Sequence, residues 1–472
     1  MAVSATPGFD LQPSAQRVPL KSNYITNFDF LNQYLPDTYE KEFERYGNRT
    51  ISSFLRMVGA EMPSNSDLIK WAEQGRLHTK YTNCAVTTGA TGDPTATITV
   101  SDVGDPTFTA SNSIAIRVGQ TVFLSDNAGS VSAKAIVTAV DYTLKTVAVA
   151  FYAVAGSPDP LLTLTMFIYG SEFKKGTNGM EGSLESDDFI FENSPIIIKD
   201  KYAVSGSDMA QIGWVEVTTE NGANGYLWYL KSEHETRLRF DDYLETSMIE
   251  AVPAEAGSGA SATTGDVGNK GSEGIFYVVG QRGNVWGGGN PTTLAEWDTV
   301  ISRLDKQGAI EENVVFVDRD FSFDIDDMLA AQSTTTGASF GLFDNEKDMA
   351  LNLGFTGFRR GYDFYKTDWK YLNDPTMRGG LSAGAGSGRI NGLLVPAGST
   401  SVYDQILGKN AKRPFLHVRY RASETEDRRY KTWITGSAGG AETSSLDAME
   451  VHFLSERAVC TLGANNFFLF EA

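Results

Sequence analysis

The residues of this sequence that could do chemistry are one serine and two histidines. Ser339 lies in Gly337-Ala-Ser-Phe-Gly341, which matches the G-x-S-x-G pattern of a hydrolase nucleophile elbow, and His417 and His452 follow it. In such enzymes the serine attacks a carbonyl carbon while a histidine accepts its proton. The pattern must lie between a buried strand and a helix, whereas the residues before Gly337 are polar and typical of a loop. A serine hydrolase built on Ser339 stays open as an alternative.

The carboxylates and the other histidines do not form a metal-binding pattern. Asp318–Asp327 holds five carboxylates in ten residues, but it lacks the glycine and the closing glutamate of a calcium loop. Acids gathered at the start of a helix, where the helix dipole favours them, explain the cluster better. His234-Glu235 begins like the zinc motif H-E-x-x-H, yet Leu238 replaces the second histidine. No catalytic, cofactor-binding or metal-binding residue is predicted.

Composition indicates a folded protein that does not attract nucleic acid or membranes over its whole surface. The chain has 472 residues, 41% of them hydrophobic, and a net charge of −19, so it can bury a substantial core and repels polyanions. Cys84 and Cys460 are far apart in sequence and fit a reducing compartment rather than a disulfide framework. No apolar run is long enough to span a membrane, and no signal peptide is predicted.

The element that must organise the chain is a long helix predicted over Gly225–Ile249. This segment has no internal glycine or proline, and its apolar residues recur at steps of three and four. We expect Leu230, Leu238 and Leu244 to face the core. We expect Glu233 and Glu245 to lie on the surface, where charged pairs contribute little to stability.

The chain before this helix has three parts of different character. Residues 1–36 are polar and contain four prolines, which predicts an extended arm. Two short helices are expected next, one beginning at Asp37 or Thr38 and one over Asp67–Gln74. Residues 84–170 are rich in Thr, Val and Ala and poor in basic residues, and turn signals separate their β-branched runs, which predicts a small inserted β-barrel or sandwich. Its strands are expected at Ala96–Val100, Gln120–Leu124, Ala133–Val140 and Thr146–Phe151.

After the long helix, a Gly/Ser/Ala-rich linker at 253–274 leads into a mixed α+β pattern. Helices are expected at Thr293–Lys306 and Phe323–Ala331, and a flexible loop at Gly379–Gly392. Strands are expected at Asn313–Val317, within Phe355–Tyr371, and near Phe415–Tyr420, Tyr430–Thr435, Ala448–Leu454 and Phe467–Phe470.

The order of these segments resembles that of the major capsid proteins of tailed bacteriophages with the Hong Kong 97-type fold. The stretches that carry the resemblance are Ser66–His78, Gly225–Ile249, Gly354–Asp368 and Ala448–Phe470. In that family an N-terminal arm and an extended loop precede a long spine helix in a peripheral domain, and an axial domain follows it. The resemblance therefore implies an α+β, Hong Kong 97-type capsid fold with an inserted small all-β domain.

The resemblance also implies a division of the chain into domains. The N-terminal arm and short helices would occupy 1–60, and the extended loop 61–212, with the inserted domain at 84–170. The peripheral domain would comprise 213–252 with the spine helix at 225–249, the strands of 351–375, and the closing strands of 445–472. The axial domain would comprise 253–350 and 376–444.

For function, the resemblance implies a structural virion protein, not an enzyme, that assembles into the icosahedral shell around the double-stranded DNA of a phage. Its partners would be further copies of itself in hexamers and pentamers, with portal, scaffold and decoration proteins, and it would touch packaged DNA only weakly. It would be made in the cytoplasm of a bacterial host and end in the virion capsid, with no cofactor and no membrane. A β-rich fibre or adhesin is the other alternative.

Overall fold

A computed structural model gives the arrangement of most of the chain. It describes residues 60–75, 80–102, 114–126, 131–182, 188–210, 217–218, 224–225, 228–260, 268–308, 310–335, 357–381, 388–404, 409–440 and 442–471. The expected arm over 1–36 and the short helix at Asp37 lie outside these residues. The described chain is a mixed α and β protein. Among its helices none is both long and apolar enough to cross a membrane.

The described elements are strands and helices in the following order. The strands in the first half are β1 (Ala60–Ser64), β2 (Ile69–Gln74), β3 (Lys80–Thr88), β4 (Thr95–Asp102), β5 (Gln120–Asp126), β6 (Ser132–Asp141), β7 (Thr146–Phe151), β8 (Leu164–Ser171), β9 (Asp188–Asn193), β10 (Ile196–Ser205), β11 (Val217–Thr218) and β12 (Asn224–Gly225). The later strands are β13 (Asn284–Trp286), β14 (Glu312–Val317), β15 (Gly357–Arg360), β16 (Tyr362–Asp368), β17 (Ile390–Pro396), β18 (Ser399–Asp404), β19 (Lys409–Pro414), β20 (Leu416–Arg421), β21 (Lys431–Gly436), β22 (Ala448–Thr461) and β23 (Phe468–Glu471). The helices are α1 (Gly206–Met209), α2 (Trp228–Glu250), α3 (Ile275–Arg282), α4 (Leu294–Lys306), α5 (Arg319–Thr335) and α6 (Lys370–Asn373), with 3-10 turns at Arg378–Gly380 and Ala464–Asn466.

Residues Trp71–Phe191 form one compact unit, and the described residues outside this range form a second. In the first unit, six antiparallel strands close into a barrel in the order β3-β4-β7-β6-β5-β8. Inward-facing residues alternate with outward-facing ones along each strand, and side chains such as Ile98, Val122 and Leu164 fill the interior. The first and last strands of the barrel pair with each other, Tyr81 opposite Met166. The four strands expected from the sequence between residues 96 and 151 are all present.

Besides the two-stranded pairs β11-β12 and β18-β19, the described part of the second unit contains two larger sheets. In the smaller sheet the order is β1-β20-β22-β10, with β21 also paired to β22. In the larger sheet it is β13-β23-β17-β14-β16-β15. Every residue of β17 is buried, which agrees with a central strand that is covered on both faces.

Two hydrophobic cores hold the second unit together. The larger one joins the smaller sheet, helices α2 and α3, and one face of the larger sheet, with Phe240, Phe316 and Phe453 among its members. The other core packs α4 and α5 on the opposite face of the larger sheet, around the fully buried Trp297. Helix α4 begins at a capping box in which Thr293 and Glu296 satisfy each other's backbone N–H groups.

Two expectations from the sequence need correction. Residues 67–74 are not a helix, because Ile69–Gln74 is strand β2 and pairs with β9. The predicted loop Gly379–Gly392 ends too late, because β17 begins at Ile390.

The division into peripheral and axial domains stays a prediction. Strand β16, within 351–375, pairs with β14, whereas β20 and β21 pair with β22. The closing segment 445–472 contributes β22 to the smaller sheet and β23 to the larger one. Hydrogen bonding between strands distant in sequence decides which sheet each segment joins.

Candidate assembly region

The residues proposed for catalysis lie apart from one another where the structure describes them. Ser339 lies outside the described residues. His417 on β20 is 3% exposed, and its Nδ1 lies 3.2 Å from the carbonyl oxygen of Pro414. His452 on β22 stacks on the ring of Trp433 at 5.1 Å. In the part of the chain that the structure describes, neither imidazole hydrogen-bonds to a serine hydroxyl, so a hydrolase using Ser339 stays an untested hypothesis.

Within Asp318–Asp327, the carboxylates of Asp318, Asp324 and Asp326 bind neighbouring groups at the start and along one side of α5. Asp318 accepts hydrogen bonds from the backbone N–H of Phe321 at 2.7 Å and from Nη2 of Arg389 at 3.0 Å. Burial raises the pKa of Asp318, and these two bonds act against that shift. Asp326 pairs with Nζ of Lys366 at 2.6 Å. Among the described residues, no group of three or more His, Cys, Asp or Glu is arranged to hold a metal ion.

The spine helix α2 packs on β10 and β22 through one face. Phe240 is completely buried, and its ring centroid lies 5.6 Å from that of Phe453 and 5.3 Å from that of Tyr430. Leu244 and Met248 follow Phe240 at the helical spacing of four and enter the same core. Helix and sheet are therefore held together by burial of apolar side chains.

Two sequence-based assignments on α2 differ from the structure. Glu245 was expected on the surface but is only 3% exposed, because it lies one helical turn before the buried Ile249 and shares its face. Charge reversal at Glu245 is therefore expected to be costly. Leu238 is half-buried rather than central, and the side chain of Leu230 lies outside the described part of the chain.

The C-terminal end of α2 is fixed by a bidentate ion pair. Nε and Nη2 of Arg378 donate to the two carboxylate oxygens of Glu250 at 2.5 Å each, and the hydroxyl of Tyr371 also donates to this carboxylate. The guanidinium of Arg378 lies 5.2 Å from the ring centroid of Phe276 on α3. Because this fork fits a carboxylate in one geometry, it sets the position of the spine helix relative to the elements of the larger sheet.

The chain leaves the smaller sheet through β1, a short edge strand parallel to β20. Glu61 of β1 pairs with Arg457 at 3.3 Å and also contacts Arg429. Arg457 is 6% exposed, and it donates to Ser455 Oγ and to the carbonyl oxygen of Arg429, each at 2.9 Å. Burial lowers the pKa of Arg457 and Glu61 opposes this, so the ionised arginine depends on a residue of β1.

The chain returns to the same sheet at Asn193, a residue that no sequence motif marks. Its amide donates to the carbonyl oxygens of Val459 at 2.7 Å and Glu273 at 3.0 Å. Its oxygen accepts from the hydroxyl of Ser272 at 2.9 Å and from the N–H of Glu273 at 2.8 Å. The side chain of Asn193 is buried, with only 4% of its surface exposed. The point where β9 passes into β10 is therefore fixed to the sheet by a fully satisfied buried amide.

Similar solved structures are found among phage particles and their relatives. A chain of Microbacterium phage Oxtober96 matches over 94% of this chain and 98% of its own, at 10% identity and a TM-score of 0.40. The capsid of a native GTA particle matches over 93% and 95%, at 8% identity and a TM-score of 0.38. The capsid asymmetric unit of cyanophage Pam1 matches over 64% and 82%, at 13% identity and a TM-score of 0.36. No family model and no curated protein matches the chain. Phage capsid structures are thus among the solved structures to which this chain is similar.

The ion pair that anchors β1 leads to a prediction about stability. Replacing Glu61 by glutamine leaves the buried Arg457 without its carboxylate, and we expect this to lower the free energy of unfolding by about 3 kcal/mol. Glu192→Gln is the matched control, because its pair with Lys70 is exposed on both sides and should contribute little. Denaturant unfolding of the unassembled chain measures both. Equal losses in the two variants would show that Arg457 does not need Glu61.

The buried imidazole of His417 makes the stability of the folded chain depend on pH. Burial lowers its pKa from 6.5 to about 4, and the nearby Arg419 adds to the shift. Between these two values the unfolded chain binds a proton that the folded chain does not, so stability falls as the pH is lowered through this window. The loss is about 3 kcal/mol, since one pKa unit corresponds to about 1.4 kcal/mol.

The measurement is denaturant unfolding at pH 7 and at pH 4 for the original chain and for His417→Gln. The glutamine keeps a donor for the carbonyl oxygen of Pro414 but does not titrate. We expect the variant to lose about 3 kcal/mol less between the two pH values. The same loss in both proteins would contradict a buried neutral imidazole.

Proposed function

We propose that this protein is the major capsid protein of a tailed phage and assembles into the icosahedral shell that encloses the double-stranded DNA genome. The observation that carries the proposal is the path of the chain around α2. The chain leaves the smaller sheet at β1, makes the long excursion that contains the barrel, and returns to the same sheet at β10. The spine helix then packs on β10 and β22 of this sheet, and a second sheet with its own helices follows.

This arrangement supports a shell subunit because of what each part can do. The excursion between β1 and β10 is joined to the smaller sheet at both of its ends, so it can extend from the subunit without disturbing the core. Extended segments of this kind can bury surface on neighbouring copies in closed symmetric assemblies. Glu61 and Asn193 are the residues that fix the two attachment points. An excess of acidic residues, with a net charge of −19, suits a shell that holds DNA without binding it tightly.

The partners follow from this role. Further copies in pentamers and hexamers are the principal ones, and portal, scaffold and decoration proteins are proposed on the same basis. Assembly would take place in the host cytoplasm, and the protein would have no enzymatic activity. A fibre or adhesin would instead form elongated trimers without a long central helix, and the 23-residue α2 runs against that alternative.

Negative-stain electron microscopy of the purified protein tests the proposal. We expect closed shells, or five- and six-fold rings. Elongated trimers or a stable monomer at all concentrations would contradict it. A variant lacking residues 2–36, the proposed N-terminal arm, should fail to assemble while its circular dichroism spectrum still shows a folded chain. If this variant forms normal shells, the arm is not needed for assembly.

A further inference from the structure

The barrel has an exposed aromatic surface on one side. Lys80, Phe167, Phe123 and Lys134 lie directly opposite one another on four neighbouring strands, in the order β3, β8, β5 and β6. Opposed residues share a face of a sheet, so the two phenylalanines stand between two lysines. Their ring centroids are 5.1 Å apart. Tyr169, two residues beyond Phe167, has Nζ of Lys134 5.8 Å from its ring centroid. We call these five residues the aromatic strip.

The aromatic strip is open to solvent and has the composition of a protein interface. Phe167 is 40% exposed and Tyr169 is 48% exposed. Aromatic side chains supply most of the binding energy at the centre of protein interfaces, and charged residues form the rim. The strip carries two lysines although the barrel region is poor in basic residues. The acid beside it, Glu172, is held by the hydroxyl of Tyr152 at 2.5 Å. The strip therefore fits a partner with apolar and acidic groups.

The barrel itself provides such a surface at one of its ends. Val154 and Leu161, in the connection between β7 and β8, are 94% and 92% exposed. Two aspartates, Asp93 and Asp159, lie in the same pair of loops. We call these four residues the barrel tip. No basic residue occurs between Lys145 and Lys174, so this connection is apolar and acidic.

The barrel tip is a structured feature at the end of the barrel farthest from its chain termini. Asp126 opposite Leu164 and Thr95 opposite Ala150 mark this end, whereas Lys80 and Ser171 lie at the other end. Hydrogen bonds hold the loops in place, from the N–H of Leu161 to Oδ1 of Asp159 at 2.9 Å and from the N–H of Ser157 to the carbonyl oxygen of Asp93 at 3.0 Å. Apolar side chains held outward on such loops are available for insertion into another surface.

We propose that the aromatic strip of one copy binds the barrel tip of a neighbouring copy in the shell. Val154 and Leu161 would cover the rings of the strip, and Lys80 and Lys134 would face the aspartates of the tip. Because strip and tip are different surfaces, the contact runs from head to tail, and contacts of this kind close into rings when the rotation allows. The inference rests on the proposed function, since it needs a shell in which barrels meet.

Disulfide trapping between copies tests the contact in the full-length protein. Cys84 and Cys460 are both buried, so a surface cysteine introduced by mutation reacts selectively. Shells are assembled from a mixture of Leu161→Cys and Phe167→Cys chains and then oxidised. We expect two-chain products at least about tenfold above those of a Leu144→Cys and Phe167→Cys mixture, because a disulfide forms only when the two Cα atoms come within about 7 Å. Leu144 is also well exposed, at 67%, but lies at the opposite end of the barrel.

Charge removal gives a second, independent measurement. Lys134→Gln and Asp159→Asn, which keeps an Oδ1 acceptor for Leu161, should each raise the protein concentration needed for half-maximal assembly by about tenfold, and the double variant should lose little more than either single variant. Tyr169→Cys replaces Phe167→Cys in the trapping experiment if the latter chain does not fold.

The results of these experiments distinguish failure of the barrel contact from failure of the proposed function. Intact shells without specific cross-links would overturn the inference and leave the proposed function standing. Intact shells in which the cysteine at 167 reacts fully with a bulky maleimide would show that the strip is open, and would assign it to an external ligand such as a glycan. Failure of the unaltered protein to form shells at all would overturn the proposed function, and this inference with it.

Discussion

Replacement of Phe240 by alanine is expected to lower the free energy of unfolding by about 3–5 kcal/mol, which is the usual cost of removing a fully buried ring. Phe240 is completely buried where the spine helix meets the smaller sheet, in ring contact with Phe453 and Tyr430. A loss of this size is a large part of the total stability of a typical domain, about 5–15 kcal/mol. We therefore expect the variant to be defective in assembly at 37 °C as well.

Tyr243→Ala is the matched control for this prediction. It removes a ring of similar size from the same helix, but Tyr243 is 45% exposed, and a surface substitution of this kind costs less than about 1 kcal/mol. Denaturant unfolding of the unassembled chain compares the two variants, and Phe240→Leu serves if the alanine variant does not accumulate. Similar losses for the two alanine variants would mean that the buried face of α2 has been assigned wrongly.

Replacement of Phe321 by alanine should have an effect of the same size, about 3–5 kcal/mol, on the other core. Phe321 is fully buried on α5, with its ring centroid 5.1 Å from that of Phe470 and 6.3 Å from that of Trp297. Its removal opens a cavity between α5 and the larger sheet that rigid β-strands cannot close.

Phe323, two residues further along α5, supplies the internal comparison. It is 56% exposed, because two residues advance an α-helix by about 200° and turn the side chain to the opposite side. Phe323→Ala is expected to change the unfolding midpoint only slightly. If thermal unfolding shows Phe323→Ala to be the more damaging substitution, then α5 packs on the sheet through a different face from the one described.

The sequence predicted the elements whose signal is local. Alternating β-branched residues at Ala133–Val140 and Thr146–Phe151 predicted two barrel strands, which are β6 and β7. The helical period of Gly225–Ile249 predicted the long helix, which is α2. The helix predicted at Thr293–Lys306 is α4. Turn residues and side-chain periodicity reflect interactions within a few residues of each other, and these are present in the sequence itself.

Contacts between distant residues were decided only by the tertiary structure. Residues 69–74 have helical character in isolation but form β2, because β9 offers a strand more than a hundred residues later. The segment at Ile390–Pro396 contains an asparagine and a glycine, which favour a loop, yet it is the fully buried β17. Its neighbours β14 and β23 satisfy its backbone groups and cover both faces.

The assembly region shows the same division. The resemblance in segment order implied the class of protein, and that order could be seen because a long helix and the long excursion before it have local sequence signals. The roles of Glu61, Asn193 and Glu245 did not follow, because burial depends on what the rest of the chain places over a residue. Nor did the aromatic strip, since Lys80, Phe123, Lys134 and Phe167 become neighbours only when the barrel closes. Strand register sets such surfaces, and register is a property of the folded sheet.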